Sequence, residues 1–111
     1  MTLQDLKDGL KIQAHGYYKH LIYSQYDTET QLNVANGIET EADMATYISG
    51  KKVEYAALGV AIDALADTAI YDNFTTDTDS NMKAYVAGIM TTLTTDDQKV
   101  CVAVGLQNVG V

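Results

Sequence analysis

Proline and arginine are both missing from this sequence of 111 residues. Proline breaks helices more often than any other residue, so its absence favours long, uninterrupted helices. Without arginine, the chain lacks the forked side chain that binds phosphate groups and guanine edges through paired hydrogen bonds. Basic residues are scarce as a whole, because seven lysines face 15 carboxylates and the net charge is -8. A phosphate backbone is repelled by such a chain, and we expect no direct nucleic-acid partner.

Cysteine occurs once, as Cys101, which excludes an intrachain disulfide and any redox motif that needs two thiols. It lies in the apolar run 100–104, where we expect it to behave as a small hydrophobic side chain. No run of 18 apolar residues is present, and the first residues lack the basic and then apolar order of a signal peptide. We therefore expect a chain in a soluble compartment with no membrane partner.

Apolar residues make up 47% of the chain, and they recur every three or four positions, as on one face of an amphipathic helix. The first stripe begins at Leu3 and predicts a helix over residues 3–26. A capping box formed by Thr28 and Gln31 predicts a second, shorter helix. A third helix is expected from Thr40 to residue 70, with the pair 49–50 as the place where it would bend.

The last third of the sequence contains one loop and two further helical segments. Residues 72–81 have turn-forming side chains throughout and predict the longest loop. Residues 82–93 carry a fourth apolar stripe, and Thr94 with Asp97 opens a last segment that reaches residue 111. No repeat or linker interrupts the chain, so we predict one domain over residues 1–111. The fold class is all-α: a single compact bundle of four or five mostly antiparallel helices. Small residues between positions 56 and 69 predict that the third helix is central and contacted on more than one side.

Two sets of residues in the sequence are candidates for metal sites. His15 and His20 are five residues apart and miss the spacing that lets two imidazoles share a metal on one helix face. Asp77, Asp79 and Asn81 occupy the first, third and fifth positions of a calcium loop, but its sixth position is methionine and its twelfth is glycine. The aspartates are better explained as a helix cap, which leaves at most a weak contact with calcium or magnesium, and we predict no metal site.

Catalytic motifs are absent as well. The sequence has no nucleophile elbow, no phosphate loop and no dinucleotide fingerprint. Asp63 and Asp67 lie one helical turn apart and could act as acid and base, but their alanine neighbours favour a solvated edge. We predict no catalytic residue, no cofactor and no enzyme activity.

Two segments are candidates for contacts with a partner protein. The second half of the first helix is apolar on two faces, and the tyrosine-rich one has the composition of an interface, although both faces could be internal. Residues 100–111 are apolar nearly all round, so they form either a buried final helix or a segment that docks into a neighbour as a helix or added strand. The candidate partner-binding residues are Tyr18, Ile22, Tyr26, Val100, Val102, Val104, Leu106 and Val109.

Residues 2–12, with the sequence TLQDLKDGLKI, resemble the start of small helical head-tail adaptor (connector) proteins of tailed bacteriophages. In that family a similar leucine-spaced helix precedes an acidic turn and a second helix, a part that Asp27, Leu32, Ile38 and Ala42 could play. The resemblance covers residues 1–45, whereas residues 16–25 have no counterpart and the family's usual basic residues are lacking. It implies a ring-forming virion component that joins a portal to a tail, with no catalytic residues.

These features predict a non-enzymatic structural or assembly protein, a small virion component of the head-tail or tail region that acts through protein–protein contacts. We expect a homo-oligomer or a part of a larger assembly, located in a virion or in the host cytoplasm. The alternative is a small acidic inhibitor that mimics nucleic acid and occupies the basic groove of a host defence or DNA-binding protein. A third reading is a helical binding domain of unknown ligand. A decoy should cluster its carboxylates on one face, and their spread along this sequence favours assembly.

Overall fold

The fold is all-α, as predicted. A computed structural model describes residues 3–65 and 85–108, and this part contains no strand. Residues 85–87 are helical and lead directly into a 3-10 helix over Gly88–Thr91. The α-helices with their bounds are α1 (Leu3–Gln25), α2 (Thr28–Ala35), α3 (Met44–Asp63) and α4 (Asp96–Asn108).

The first helix follows the predicted apolar stripe closely. α1 ends at Gln25, one residue before the predicted end. Its inward face buries Leu3, Leu6, Leu10 and Ala14, all at most 3% exposed. These positions are three or four residues apart, so they lie above one another on one side of the helix.

The second helix begins at a different cap from the one predicted. Asp27 is the N-cap, and its Oδ1 accepts a hydrogen bond of 2.7 Å from the backbone N–H of Thr30. The predicted capping box on Thr28 is therefore displaced by one residue, because the aspartate one position earlier takes the cap. Gln31 instead donates from Nε2 to the carbonyl oxygen of Tyr26 at 2.7 Å. No residue of α2 is buried, so this helix lies on the outside of the bundle.

The third helix is shorter at both ends than the sequence predicted. α3 begins at Met44 instead of Thr40 and passes through the pair 49–50 without a break. It ends at Asp63, and the N–H of Ala64 still bonds the carbonyl of Val60 at 3.0 Å. Residues 66–84 lie outside the described residues, and with them the predicted loop 72–81 and the predicted calcium positions 77, 79 and 81.

The third helix is contacted by two neighbours, α1 and α4, but one of its sides is exposed in the described structure. The side of α3 that carries Val53, Ala56, Ala57 and Val60 is exposed, and the two valines are 66% and 70% accessible. Only the opposite side packs inward, where Leu58 and Ile62 are fully buried. Of the small residues predicted to admit a second neighbour, Ala56 and Ala57 are exposed, whereas Ala61 packs against the core. We call Val53, Ala56, Ala57 and Val60 the outer face of α3.

The last helix begins with a capping box one residue after the predicted start. Thr95 Oγ1 accepts from the N–H of Gln98 at 3.3 Å, and Gln98 Oε1 accepts from the N–H of Thr95 at 3.1 Å. Over residues 96–108 the chain is helical, so the alternative of an added strand is excluded there. Cys101 is buried in α4, and burial raises the pKa of its thiol to about 11.

The contacts along α1 set the directions of the other helices. Residues near its start contact the end of α3, since Lys7 Nζ donates to the carbonyl of Leu65 at 2.8 Å. Gly105 of α4 lies against Leu10 so closely that an added Cβ would stand 2.7 Å from a leucine methyl. Further along, Tyr17 reaches Asp97 at the start of α4. α1 is therefore antiparallel to both α3 and α4, which run in the same direction as each other.

One continuous core is buried where these helices meet. α1 packs against both α3 and α4, and the helical turn around Val86 and Ile89 adds to the same cluster. We call one part of this core the apolar end: Leu6, Leu10, Leu58, Ile62 and Val102, each at most 1% exposed. Burial of these side chains stabilises the folded state by about 25 cal/mol per Å² of apolar area removed from water.

Candidate functional site

A set of polar side chains joins the three packed helices beyond the apolar end. Lys51 of α3 forms ion pairs with Glu54 on its own helix at 3.2 Å and with Asp97 of α4 at 2.7 Å. The other oxygen of Asp97 accepts a hydrogen bond of 3.1 Å from the hydroxyl of Tyr17 on α1. One carboxylate thus links α1, α3 and α4.

Glu54 forms the second junction of this network. Its Oε1 accepts from the hydroxyl of Tyr18 at 3.3 Å and from Thr95 Oγ1 at 2.9 Å. Its backbone carbonyl accepts from Nε2 of Gln98 at 3.0 Å. Gln98 is only 2% exposed, and its Oε1 also accepts from the N–H of Thr94 at 3.0 Å. We call these side chains the polar network: Tyr17, Tyr18, Lys51, Glu54, Thr95, Asp97 and Gln98.

The described structure satisfies this network completely. Among the residues that it covers, no buried side-chain nitrogen or oxygen lacks a hydrogen-bond partner. Buried polar groups without partners cost about 1–3 kcal/mol each, so full pairing lets the bundle accept polar groups in its interior. The network therefore fixes how the start of α4 sits against the other two helices.

The protonation states of the network are held firmly at neutral pH. Hydrogen bonding to Lys51 lowers the pKa of Asp97, and the same contact raises the pKa of Lys51. Burial, followed by the bond to Asp97, raises the pKa of Tyr17 to about 12. Burial also raises the pKa of Tyr18. A general acid or base works best with a pKa near the operating pH, and these four shifts all move away from it.

A groove opens beside Lys51. It lies between the second half of α1 and the first half of α3, reaches Gln31 of α2, and has a volume of about 290 Å³. Ile22, Ile48 and Tyr55 contribute apolar lining, and Lys19 and Lys52 also line the cavity. We call this cavity the lysine groove. Neither helix alone predicts it, because its two walls are distant in the sequence.

A second hollow of about 250 Å³ lies further towards the end of α3, beside Gly59 and Val60. Its edge carries an ion pair of 3.0 Å between Lys11 and Asp63, whose side chains are 47% and 60% exposed. The sequence suggested Asp63 as one half of an acid and base pair with Asp67. Asp63 instead pairs with lysine, and Asp67 lies outside the described residues.

The histidines lie apart from any group of metal ligands. His15 packs edge-on against Tyr55 with ring centroids 6.3 Å apart, whereas His20 contacts Ser24 on the helix surface. In the described residues, no three histidine, cysteine or carboxylate side chains are grouped as a metal site would require.

The predicted partner-binding residues separate into three groups. Tyr18 and Val102 are 2% and 1% exposed and belong to the core, which corrects their assignment to a free surface. Tyr18 on the tyrosine-rich face of α1 is therefore internal, the alternative that the sequence left open, whereas Ile22 on the same face lines the lysine groove. Val100 is 47% exposed, while Val109 lies outside the described residues. The partly buried members are Ile22, Tyr26, Val104 and Leu106.

Other hydrophobic side chains are more accessible than those that the sequence selected. The outer face of α3 is one such region, and Ile12 on the outward side of α1 is 75% exposed. Leu32 lies in α2 and is 59% exposed, and Ile38, which follows α2, is 72% exposed. Ile12 could have been found from the sequence, since it lies opposite the stripe that contains Leu10 and Ala14. The outer face of α3 could not, because that helix is apolar on most sides.

Comparison with known proteins gave no relative of this chain. No protein-family model matches the sequence, and neither a curated protein nor a solved structure matches it significantly. The resemblance to phage connector proteins therefore stays a prediction. Of the helices in the described ranges, none combines the length and the apolar character needed to cross a membrane.

Proposed function

We propose that this chain is a non-enzymatic assembly protein, a small structural component of a bacteriophage particle that associates with copies of itself. The observation that carries the proposal is the outer face of α3, where Val53 and Val60 are 66% and 70% exposed with alanines between them. Contiguous apolar surface of this kind is typical of protein–protein contacts. The phage context rests on the sequence resemblance alone.

A second copy is the occupant that best suits this face. Its side chains are small, so two α3 helices could approach closely across a two-fold axis, with each valine packed between residues of the partner. Charged side chains are absent from Val53, Ala56, Ala57 and Val60, which favours association between two chains that each carry a net charge of -8. The same helix holds the bundle together through its opposite side, so the outer face is available without unfolding.

The placement of the carboxylates supports assembly over the rival function of a nucleic-acid-mimicking inhibitor. A mimic needs a surface of unpaired acidic groups that imitates a row of phosphates. Here Asp27 caps α2, Asp63 pairs with Lys11, and Asp97 pairs with Lys51. These carboxylates therefore serve contacts within the chain and lie in different parts of the bundle.

The experiment is sedimentation velocity over a wide range of protein concentration, with wild type compared with Val60→Asp. We expect the wild type to form a discrete oligomer and Val60→Asp to raise the dissociation constant at least roughly tenfold, because a carboxylate would be buried without a partner. Closed rings in electron micrographs of the wild type would support the connector assignment.

The matched control is Ile12→Asp, which makes the same kind of change at an exposed position on α1. It should leave the oligomer unchanged. A wild-type protein that remains monomeric at every concentration would contradict the proposal, and an oligomer that is broken by Ile12→Asp instead would place the contact on α1.

A further inference from the structure

The lysine groove differs from the rest of this acidic protein in its charge. The chain has 15 carboxylates and seven lysines. Among the described residues that line the groove, three are lysines, one is histidine and none carries a carboxylate. Because the groove is lined by lysines and by no carboxylate, its local charge is positive, whereas the whole molecule is negative.

Two of its lysines are available to a ligand. The third lysine of the groove, Lys51, is paired with Glu54 and Asp97. Outside the groove, Lys7 bonds to backbone carbonyls and Lys11 pairs with Asp63. Lys19 on α1 and Lys52 on α3 have no such partner in the described structure, and both are exposed. They lie on the two helices that form the walls, so an anion between the walls could contact both ammonium groups.

The remaining wall is apolar and aromatic. Tyr23 and Tyr55 are 42% and 36% exposed, so part of each ring is accessible. Ile22 and Ile48 are partly buried between them and line the same cavity. Inorganic phosphate would leave this surface in contact with water, whereas a compound with a ring or a short apolar body would cover it.

The size of the cavity narrows the class further. A volume of about 290 Å³ lies just below the range of about 300–1,000 Å³ that small-molecule sites occupy, so only a small compound suits it. We infer that the lysine groove binds a small organic anion, an aromatic carboxylate, sulfonate or phosphate, with its ring against Tyr23 and Tyr55 and its charge between Lys19 and Lys52. This site is independent of the oligomeric state proposed above.

The test uses two fluorescent dyes that differ in one group. The anion 8-anilinonaphthalene-1-sulfonate carries the charge, and N-phenyl-1-naphthylamine is the same ring system without the sulfonate. We expect Lys19→Gln and Lys52→Gln each to weaken binding of the anionic dye about threefold, the modest effect of one exposed charge contact. The double variant should weaken it about tenfold, and added salt should reduce the difference. Binding of the neutral dye should not change.

Two further variants locate the dye. Lys99→Gln removes an exposed lysine on α4, outside the groove, and should alter neither titration. Tyr23→Ser shortens the aromatic wall and should weaken both dyes, whereas Val60→Asp on the outer face of α3 should weaken neither at concentrations where the chain is monomeric.

Three results would overturn the inference. The anionic dye could show no binding to the wild type, it could bind the Lys19→Gln, Lys52→Gln double variant as tightly as the wild type, or the neutral dye could lose affinity to the same extent. Loss of self-association in Val60→Asp with unchanged dye binding would leave this site standing, which separates it from the proposed function.

Discussion

The apolar end and the polar network hold the same three helices together by different means. At the apolar end, Leu10, Leu58 and Val102 are at most 1% exposed and belong to one cluster of buried hydrophobic side chains. About two turns further along α1, Tyr17 and Tyr18 instead meet charged and amide groups of α3 and α4. The apolar end supplies stabilisation through burial of area, which depends little on direction. The network adds direction, because each hydrogen bond requires one partner at one distance.

The polar network explains the register in which α4 packs. Apolar side chains of similar size tolerate small shifts along a helix, whereas Nε2 of Gln98 must reach the carbonyl of Glu54 and Oγ1 of Thr95 must reach the carboxylate of Glu54. A shift of α4 by one turn would separate both pairs, and a buried polar group that loses its partner costs about 1–3 kcal/mol. Single substitutions in each region should therefore differ in their effect on the free energy of unfolding.

The largest effect is expected from Leu10→Ala at the apolar end. Leu10 is 1% exposed, so truncation removes buried area and leaves a cavity beside Gly105, which should lower the free energy of unfolding by about 2–5 kcal/mol. Urea unfolding followed by circular dichroism measures the change. Ile12→Ala, on the same helix at 75% exposure, is the control and should cost less than about 0.5 kcal/mol. Equal costs for the two variants would show that α1 packs through a different face.

A smaller effect is expected from Gln98→Met in the polar network. Methionine fills a similar volume but offers no hydrogen bond, so the carbonyl of Glu54 and the N–H of Thr95 lose their partner. The free energy of unfolding should fall by about 1–3 kcal/mol in the same urea experiment. Gln107→Met, at an exposed position of the same helix, should be nearly neutral. If Gln98→Met left the free energy of unfolding unchanged, Gln98 would stabilise the fold by filling volume and not through its hydrogen bonds.

The smallest effect concerns the pH dependence of Asp97→Asn. Its contact with Lys51 lowers the pKa of Asp97 below the usual 3.8, so the stability gained from the ionised form is complete above that pH and is lost as the pH falls further. We expect Asp97→Asn to cost about 1 kcal/mol at neutral pH and to lose less stability on acidification than the wild type. Urea midpoints measured from neutral pH down to strong acid give both values.

The control for this titration is Asp96→Asn, which removes the same charge from the first turn of α4 at an exposed position. It should keep the acid sensitivity of the wild type. An identical pH profile for wild type and Asp97→Asn would contradict the assignment of this carboxylate to the network.

Most of the helices could be predicted from spacing alone. α1 was placed to within one residue because its apolar stripe is regular over six turns, and α2 and α4 were each displaced by one residue at the cap. The third helix was harder, since it is apolar on most sides and its period marks no inward face. The ends and the exposed side of α3 depend on the helices that pack against it, and these come from distant parts of the sequence.

The candidate sites were less predictable than the fold. Tyr18 was assigned to a surface because tyrosine suits both interfaces and interiors, and only the presence of Glu54 and Thr95 beside its hydroxyl decides between them. The lysine groove depends on two helices, and its unpaired residues Lys19 and Lys52 are 33 positions apart in the sequence. No pattern along the chain could have joined Lys19 to Lys52.

Composition and spacing along the chain are sufficient to show that it is helical, acidic and rich enough in apolar residues to form a core. Helix formation and net charge depend on composition and on neighbours three or four residues away, and both can be read along the chain. The tertiary structure decided which tyrosines are buried, which lysines remain unpaired and which side of α3 meets solvent. Those properties are set by packing between distant segments, because a side chain's surroundings are known only when the helices are placed against each other.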